Sequence, residues 1–481
     1  MNGAQILLAA PEIWVLIMAC VVMIVDLFLR EERRGIIHML ALLTVIFAII
    51  ITLRGDYLVD GVRSVTIFSG SFIRDPMGDV LKVFSFVIMA LIFTYSKFYL
   101  RNFKMFRADF FTLSLFALLG VMLLISANSM LMIYLGLELI SLSVYALVAF
   151  NRDSGRGTEA AMKYFVLGSM ASGMLLYGMS MIYGATGSLI LPDIAAAVQS
   201  RGTDDILLTF GLVFVVVGIA FKFGVVPFHM WIPDVYEGAP PAVTLFISSV
   251  PKLAAFAMAY RLLSSGLGDL HVHWESMLAS LALLSIVLGN LAAIMQNNIK
   301  RMLAYSTISH MGFVMLGLLP GTAYGFGAAM YYVIVYGVMS VASFAMIILL
   351  SSRGVEVEQL DDFKGLNQRN PYYAAIMGLV MFAMAGVPPM VGFFAKLMVL
   401  KAVIDSGMMW LAVTAVVFSV IGAFYYLRVI KYMYFDDPEN ETAIVAPVDF
   451  GAALTLNGAM ILGLGMFSSS LIAICMTSFG L

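Results

Sequence analysis

Apolar stretches of roughly 18–25 residues follow one another along almost the whole 481-residue chain, each long enough to cross a hydrocarbon core about 30 Å thick as a helix. None alternates with the period of two that a membrane β-strand needs. A bilayer offers backbone groups no water, so a spanning segment must be a helix or part of a closed barrel. The chain is therefore expected to be an all-α polytopic membrane protein. Composition agrees, with only 12% charged residues against about 25% in soluble domains. The 41 Gly and 36 Met suit helices packed in lipid, where small residues allow close approach and Met fills gaps. A formal net charge of −2 gives no footprint for a nucleic-acid partner. Cys20 and Cys475 sit in apolar spans at opposite ends and read as small core residues, not as a disulfide or metal ligands. The first apolar run lacks a basic leader and a small-residue cleavage site, so a retained anchor is expected.

Fourteen spans are expected, at about 11–29, 36–53, 77–96, 109–126, 129–150, 159–184, 206–232, 241–264, 274–296, 302–320, 323–350, 371–404, 408–430 and 450–475. Loops after odd-numbered spans carry sixteen Lys and Arg, among them Arg30, Arg107, Arg152, Lys300 and Arg353. Loops after even-numbered spans carry five: Arg54, Arg63, Arg74, Arg201 and the border residue Arg261. The positive-inside rule then places both termini outside, on the periplasmic face of a bacterial inner membrane. The longest aqueous segment, 54–76, is expected to form a small hairpin, and 186–205 to include a short surface helix around Ile194–Val198.

Two spans carry helix breakers at depth. The seventh reads Phe-Lys-Phe-Gly-Val-Val-Pro-Phe-His over 221–229, and the twelfth reads Ala-Gly-Val-Pro-Pro-Met-Val-Gly-Phe-Phe-Ala-Lys over 385–396. Proline removes a backbone donor, and lipid supplies no substitute. Broken helices in membranes line polar cavities, and matched breaks in two halves point to an ion or substrate site. Spans seven and twelve lie five apart and so cross in opposite directions, which predicts two inverted five-helix repeats with discontinuous helices 7 and 12. The expected domains are 1–108 (helices 1–3), 109–264 (helices 4–8), 265–436 (helices 9–13) and 437–481 (helix 14). No Walker A motif, CxxC pair or dinucleotide fingerprint occurs, so no cofactor is expected in this chain.

Within this apolar frame Glu138, Lys222, Lys252 and Lys396 fall inside spans. Each ionisable group at mid-membrane depth costs about 2.5–3.5 kcal/mol, roughly 10–14 kcal/mol for the four. They must pair, meet water or move ions. Glu138 stands near the middle of span five, with partners only on other spans, and Lys222 is the natural one. The plainer role for this carboxylate is a structural pair that closes helices together. Lys222 is about ten residues from the interface, too far to snorkel. A buried lysine loses proton affinity by desolvation and regains it beside a carboxylate, so a lysine whose carboxylate comes and goes can carry protons. His310, in Tyr-Ser-Thr-Ile-Ser-His-Met-Gly-Phe, reads either as a satisfied core residue or, given its neighbouring hydroxyls, as part of a hydrated relay. His229 follows the span-seven break and could stand at the inner mouth. Glu159 and Lys163 are an i, i+4 pair at the inner start of span six, either a surface pair worth a few tenths of a kcal/mol or an entrance. Asp26 with Arg30, Asp79 with Lys82, and Lys401 near Asp405 read as anchors.

Several of these segments together resemble the antiporter-like membrane subunits of proton-pumping NADH:quinone oxidoreductase, respiratory complex I. The resemblance rests on Leu-Glu-Leu-Ile-Ser-Leu around Glu138, Ala-Met-Lys-Tyr-Phe-Val-Leu-Gly-Ser (161–169), the long run 221–240, Ile-Lys-Arg-Met-Leu-Ala-Tyr-Ser-Thr-Ile-Ser-His-Met-Gly (299–312) and 386–396. It covers nearly the whole chain. A lysine in span twelve speaks against subunit M of that enzyme, where a glutamate is usual. A stop after span fourteen speaks against subunit L, which adds a lateral helix. Pro-Pro-Ala at 240–242 departs from the more common Pro-Thr-Pro.

The resemblance implies a proton channel with no redox centre of its own. FMN, iron–sulfur clusters and quinone would be held by other subunits, and the partners would be subunit M, small subunits such as K and J, and lipids. It further implies a relay of Glu138, Lys222, Lys252, His310 and Lys396, with Glu138 and Lys222 as the switching pair and Lys396 as the gate toward the outside. Two other classes of function remain open at this point. One is an Mrp-type cation/proton antiporter that works without NADH; the other is a scaffold whose charges only hold helices together.

Overall fold

The computed structural model describes residues 3–54, 64–351, 355–439 and 444–481; Arg63 and Arg353 of the orientation argument lie outside them. In chain order the helices are α1 (Gly3–Leu8), α2 (Ala10–Phe28), α3 (Gly35–Leu53), α4 (Pro76–Asn102), α5 (Ala108–Ile125), α6 (Met130–Val148) and α7 (Gly155–Thr186). There follow α8 (Leu191–Arg201), α9 (Ile206–Phe223), α10 (Trp231–Gly238), α11 (Pro241–Ser248), α12 (Val250–Tyr260), α13 (His271–Ile294) and α14 (Ile299–Leu318). The last are α15 (Ala323–Leu350), α16 (Leu366–Arg369), α17 (Pro371–Ala385), α18 (Val391–Asp405), α19 (Met409–Phe435), α20 (Val448–Met466) and α21 (Ser468–Thr477).

The expected hairpin is a two-stranded antiparallel ribbon, β1 (Val65–Ile67) against β2 (Phe72–Arg74), with Thr66 opposite Ile73. The expected surface helix is α8. Twelve helices among the described residues are long and apolar enough to cross a membrane. Two expected spans fall short of that measure: 302–320, whose α14 carries Tyr, Ser, Thr and His, and 371–404, which is divided into α17 and α18 of 15 residues each. Span eight is also divided, at Ser249, whose φ of −121° and ψ of −81° leave the helical region. Pro251 sits at the second position of the new helix, where its missing N–H costs nothing.

The chain forms two compact units. The first comprises Met1–Phe93, Phe106–Lys222 and Val250–Met277; the second comprises Thr94–Met105, Phe223–Ser249 and Leu278–Leu481. In the first, α5 and α6 cross back to back at Gly120 and Gly136. A Cβ on Gly120 would stand 2.8 Å from the Gly136 carbonyl and from the Ile140 amide. Only glycine permits that approach, and it fixes the turn of α6 that carries Glu138 and Ser141. In the second unit α15 is the central element, with every residue from Gly325 to Leu350 buried.

Three anchor assignments are corrected by this packing. Lys82 turns away from Asp79 to a fully buried ion pair with Glu12 (2.6 Å), and Asp79 is bound by Arg74 at 3.1 Å. The neighbouring α2 offers a buried carboxylate, which outcompetes an i, i+3 partner. Asp26 faces Arg34 at 3.7 Å, not Arg30, because a short 3-10 turn at Glu31–Arg33 folds the chain back. Lys401 lies over the Tyr324 ring at 5.1 Å instead of reaching Asp405. Arg261 does not border water: it is 3% exposed and pairs with Asp75 at 2.7 Å.

Candidate proton-relay site

In the first unit the site is built on the face of α6 that carries Glu138, Ser141 and Tyr145. The Lys222 ammonium, one residue from the end of α9, donates to Ser141 Oγ at 2.8 Å. Ser141 in turn donates to the Leu137 carbonyl at 2.7 Å. No ion pair within 4.0 Å joins Lys222 to Glu138 among the described residues, and Glu138 Oε1 is buried without a hydrogen-bond partner. The two groups expected to pair are thus neighbours held apart, with the hydroxyl one helical turn away taking the ammonium.

Lys252 joins them through the broken helix. In an uninterrupted helix the Lys222 carbonyl would accept from the amide of residue 226. Gly224 takes a left-handed φ of +74° and the chain leaves the helix. The Lys222 carbonyl is then free, and Lys252 Nζ donates to it at 3.2 Å. Lys252 is 1% exposed, so an ammonium there needs such acceptors.

The second unit repeats the device. The Ala385 carbonyl would accept from residue 389, which is proline and has no N–H. Gly386, at φ +85°, turns the chain. Lys396 Nζ then donates to the orphaned Ala385 carbonyl at 2.8 Å and to Ser419 Oγ of α19 at 2.8 Å. A Cβ on Gly386 would stand 3.0 Å from Lys396 Cδ, so the lysine stem would have to shift by a few tenths of an ångström, and the left-handed φ disfavours any side chain there. The same ammonium lies 5.4 Å from the centre of the Phe313 ring, one turn along α14 from His310.

His310, 4% exposed, is bonded on both ring nitrogens: Nδ1 to the Tyr332 hydroxyl at 2.8 Å and Nε2 to the Tyr426 hydroxyl at 3.0 Å. Tyr426 continues to Ser306, and Tyr336 to Thr307 at 2.7 Å. Tyr425 donates to Asn290, whose amide donates to Ser309 at 2.9 Å. A chain of hydroxyls through an imidazole can pass a proton, since each member both donates and accepts. Two turns before Thr307, Lys300 is buried and paired with Glu356 at 3.0 Å, and Glu356 also binds the Tyr99 hydroxyl.

The remaining assigned residues stand apart. Glu159 and Lys163 form their pair at 2.9 Å on an exposed face of α7. His229 lies half-buried between α9 and α10, its Nδ1 without a hydrogen-bond partner. Ser141, Ser419, Asn290, Tyr332, Tyr425, Tyr426 and the Lys300–Glu356 pair escaped the sequence reading, because hydroxyls and tyrosines in apolar spans look like ordinary packing until the helices are placed.

Discontinuous helices whose freed carbonyls hold buried lysines define a class of ion-translocating membrane protein. Comparison with known families agrees: residues 127–422 match the model described as NADH:quinone oxidoreductase/Mrp antiporter, transmembrane. The chain is 53% identical over 478 residues to NADH-quinone oxidoreductase subunit N of Alkalilimnicola ehrlichii, covering 98% of this chain and 96% of the relative. To the subunit N of an Azoarcus species it is 55% identical over 475 residues, covering 97% and 96%. A chain of respiratory complex I from Thermus thermophilus superposes with a TM-score of 0.82 at 30% identity, covering 96% of this chain and 98% of that one. A chain of the Mrp complex from a Dietzia species superposes at 0.86 with 19% identity, over 99% and 97% of the two chains, a likeness of fold alone. The chain belongs to the NADH-quinone oxidoreductase subunit N family.

Proposed function

We propose that this chain is a proton channel of the membrane arm of an NADH:quinone oxidoreductase, carrying protons along Glu138, Lys222, Lys252, His310 and Lys396 while the redox chemistry takes place in other subunits. The observation that carries the reading is the repeated lysine–carbonyl device: Lys252 on the Lys222 carbonyl and Lys396 on the Ala385 carbonyl, each at a helix break. An ammonium held by neutral acceptors exchanges its proton more readily than one locked in a buried ion pair. Ser141 gives Lys222 such a resting place, beside a carboxylate that has no hydrogen bond on one oxygen. Movement of Lys222 between Ser141 and Glu138 is the switch. The carboxylate favours the charged amine, and withdrawal from it drives the proton onward. Work against the membrane potential is about 2.3 kcal/mol per charge per 100 mV, so a swing of roughly two pKa units or more is needed.

The further assignments follow from family and charge pattern. The partners are the antiporter-like subunit M, small subunits such as K and J, and lipids; FMN, iron–sulfur clusters and quinone belong to other subunits. Both termini face the periplasm of a bacterial inner membrane, and the two broken spans belong to inverted repeats. Glu159, Lys163 and His229 form a secondary path from the inner side. In assembled complex, Glu138→Gln is expected to leave NADH oxidation in uncoupled membranes near normal and to abolish or sharply reduce proton uptake per NADH in inverted vesicles. Full translocation in correctly assembled Glu138→Gln enzyme would overturn the proposal.

A further inference from the structure

One end of the first unit, the inner end on the orientation proposed from the charge pattern, holds a cavity of about 420 Å³ between the end of α2, the start of α5 and the end of α6. Its wall is apolar, formed in part by Leu27, Leu113, Phe116 and Ala146, and its rim carries Arg107, Arg152, Asp109 and Asp26. Leu27 and Ala146 are exposed, so the cavity opens onto the surface that meets lipid. Asp26 is engaged by Arg34. Arg107, Arg152 and Asp109 are exposed, and none of them makes an ion pair or side-chain hydrogen bond among the described residues. Three unpaired charges, two positive and one negative, therefore ring the mouth of an apolar slot.

We infer that this cavity seats a zwitterionic aminophospholipid of the inner leaflet, its phosphate on Arg107 and Arg152, its ammonium on Asp109 and one acyl chain along Leu113, Phe116 and Ala146. Only an amphiphile matches an apolar wall with a charged rim, and 420 Å³ is in the range of small-ligand pockets, about 300–1,000 Å³. A phosphodiester can take a forked pair of bonds from each guanidinium. The 18-residue α5 opens at this rim with no side-chain cap on its first amides, so its positive end adds to the attraction. Basic pockets between helices on the cytoplasmic side are where membrane proteins hold lipid headgroups. The carboxylate selects among lipids: Asp109 pairs with a primary ammonium and is left unpaired by a headgroup that has none, so an ethanolamine headgroup gives each of the three charges a partner.

The test is the lipid content of the complete, detergent-purified complex, measured by native mass spectrometry and by quantitative lipid extraction, with assembly followed on native gels. Arg107→Gln with Arg152→Gln is expected to lose one ethanolamine phospholipid per complex. Asp109→Asn is expected to keep a lipid but accept phosphatidylglycerol in exchange experiments with vesicles of either pure lipid. Ala146→Trp leaves every charge in place and fills the slot, so it is expected to lose the same lipid even if the arginine variants fail to assemble. Unchanged lipid number in the arginine and Ala146→Trp variants overturns the site. Loss of phosphatidylglycerol instead overturns the aminophospholipid assignment. A photo-crosslinker at Leu113 that labels a neighbouring polypeptide and no lipid overturns the occupant.

Discussion

Ser141→Ala isolates the hydroxyl that holds Lys222 away from Glu138. The wild-type ammonium donates to Ser141 Oγ at 2.8 Å and makes no ion pair with Glu138. A hydrogen bond to a charged group is worth about 1.5–3 kcal/mol. Removing it shifts the balance between the Ser141 and Glu138 positions toward the carboxylate by the same amount. At about 1.4 kcal/mol per factor of ten, that is roughly a 10- to 150-fold shift. The lysine then spends most of its time paired, and each onward transfer must first break the pair. Proton translocation per NADH should fall toward that of Glu138→Gln, measured as dye quenching in inverted vesicles normalised to NADH oxidation. Ser141→Thr keeps the hydroxyl and should retain most of the activity. Because both groups act on one lysine, Ser141→Ala and Glu138→Gln should be non-additive. Wild-type pumping by Ser141→Ala in assembled complex would refute the reasoning, as would equal losses in the Ala and Thr variants, since the latter marks a purely steric effect.

Lys82→Met should destabilise the complex by about 3–5 kcal/mol, because it leaves Glu12 buried and unpaired, whereas Glu12→Leu with Lys82→Met should recover most of the loss; thermal unfolding of the purified complex reads both, and a double variant no better than the single one refutes the pairing. Gly120→Ala forces α5 from α6, since its Cβ would stand 2.8 Å from two backbone atoms. A cost of about 1–3 kcal/mol is expected, seen as lower complex content on native gels, and unchanged content and pumping count against the close crossing.

The breaks in spans seven and twelve were legible because Gly224, Pro227, Gly386 and Pro389 carry their physics in the residue itself. A missing N–H or a left-handed φ acts locally, whatever surrounds it. The turn at Phe467, between α20 and α21 (φ −114°, ψ 40°), carries no such residue and could not be foreseen. The buried charges were legible as anomalies but not as pairs. Lys82 has Asp79 within one turn, yet its partner is Glu12, some 70 residues away in sequence. Glu138 and Lys222 were expected to touch; Ser141 stands in the way because α6 places its hydroxyl one turn from the carboxylate on the same face. Only tertiary placement decides which of several acceptors a long, flexible ammonium reaches.

The same logic explains why two of the three proposed relay lysines, Lys252 and Lys396, reach backbone carbonyls at the helix breaks. A carboxylate within reach of a buried lysine would fix its charge and cost two desolvations. A peptide carbonyl satisfies the ammonium when charged and costs less when the proton leaves, since a carbonyl has a second lone pair and other donors can approach it. Inside a regular helix each carbonyl already accepts one bond along the ladder, and the neighbouring turn restricts access to its second lone pair. The helix break is therefore the means by which an apolar span acquires a neutral acceptor at depth. At Ala385 the acceptor is made by the proline four residues on, and at Lys222 by the left-handed glycine two residues on. On the proposed path, Gly224, Gly386 and Pro389 therefore matter as much as the lysines do.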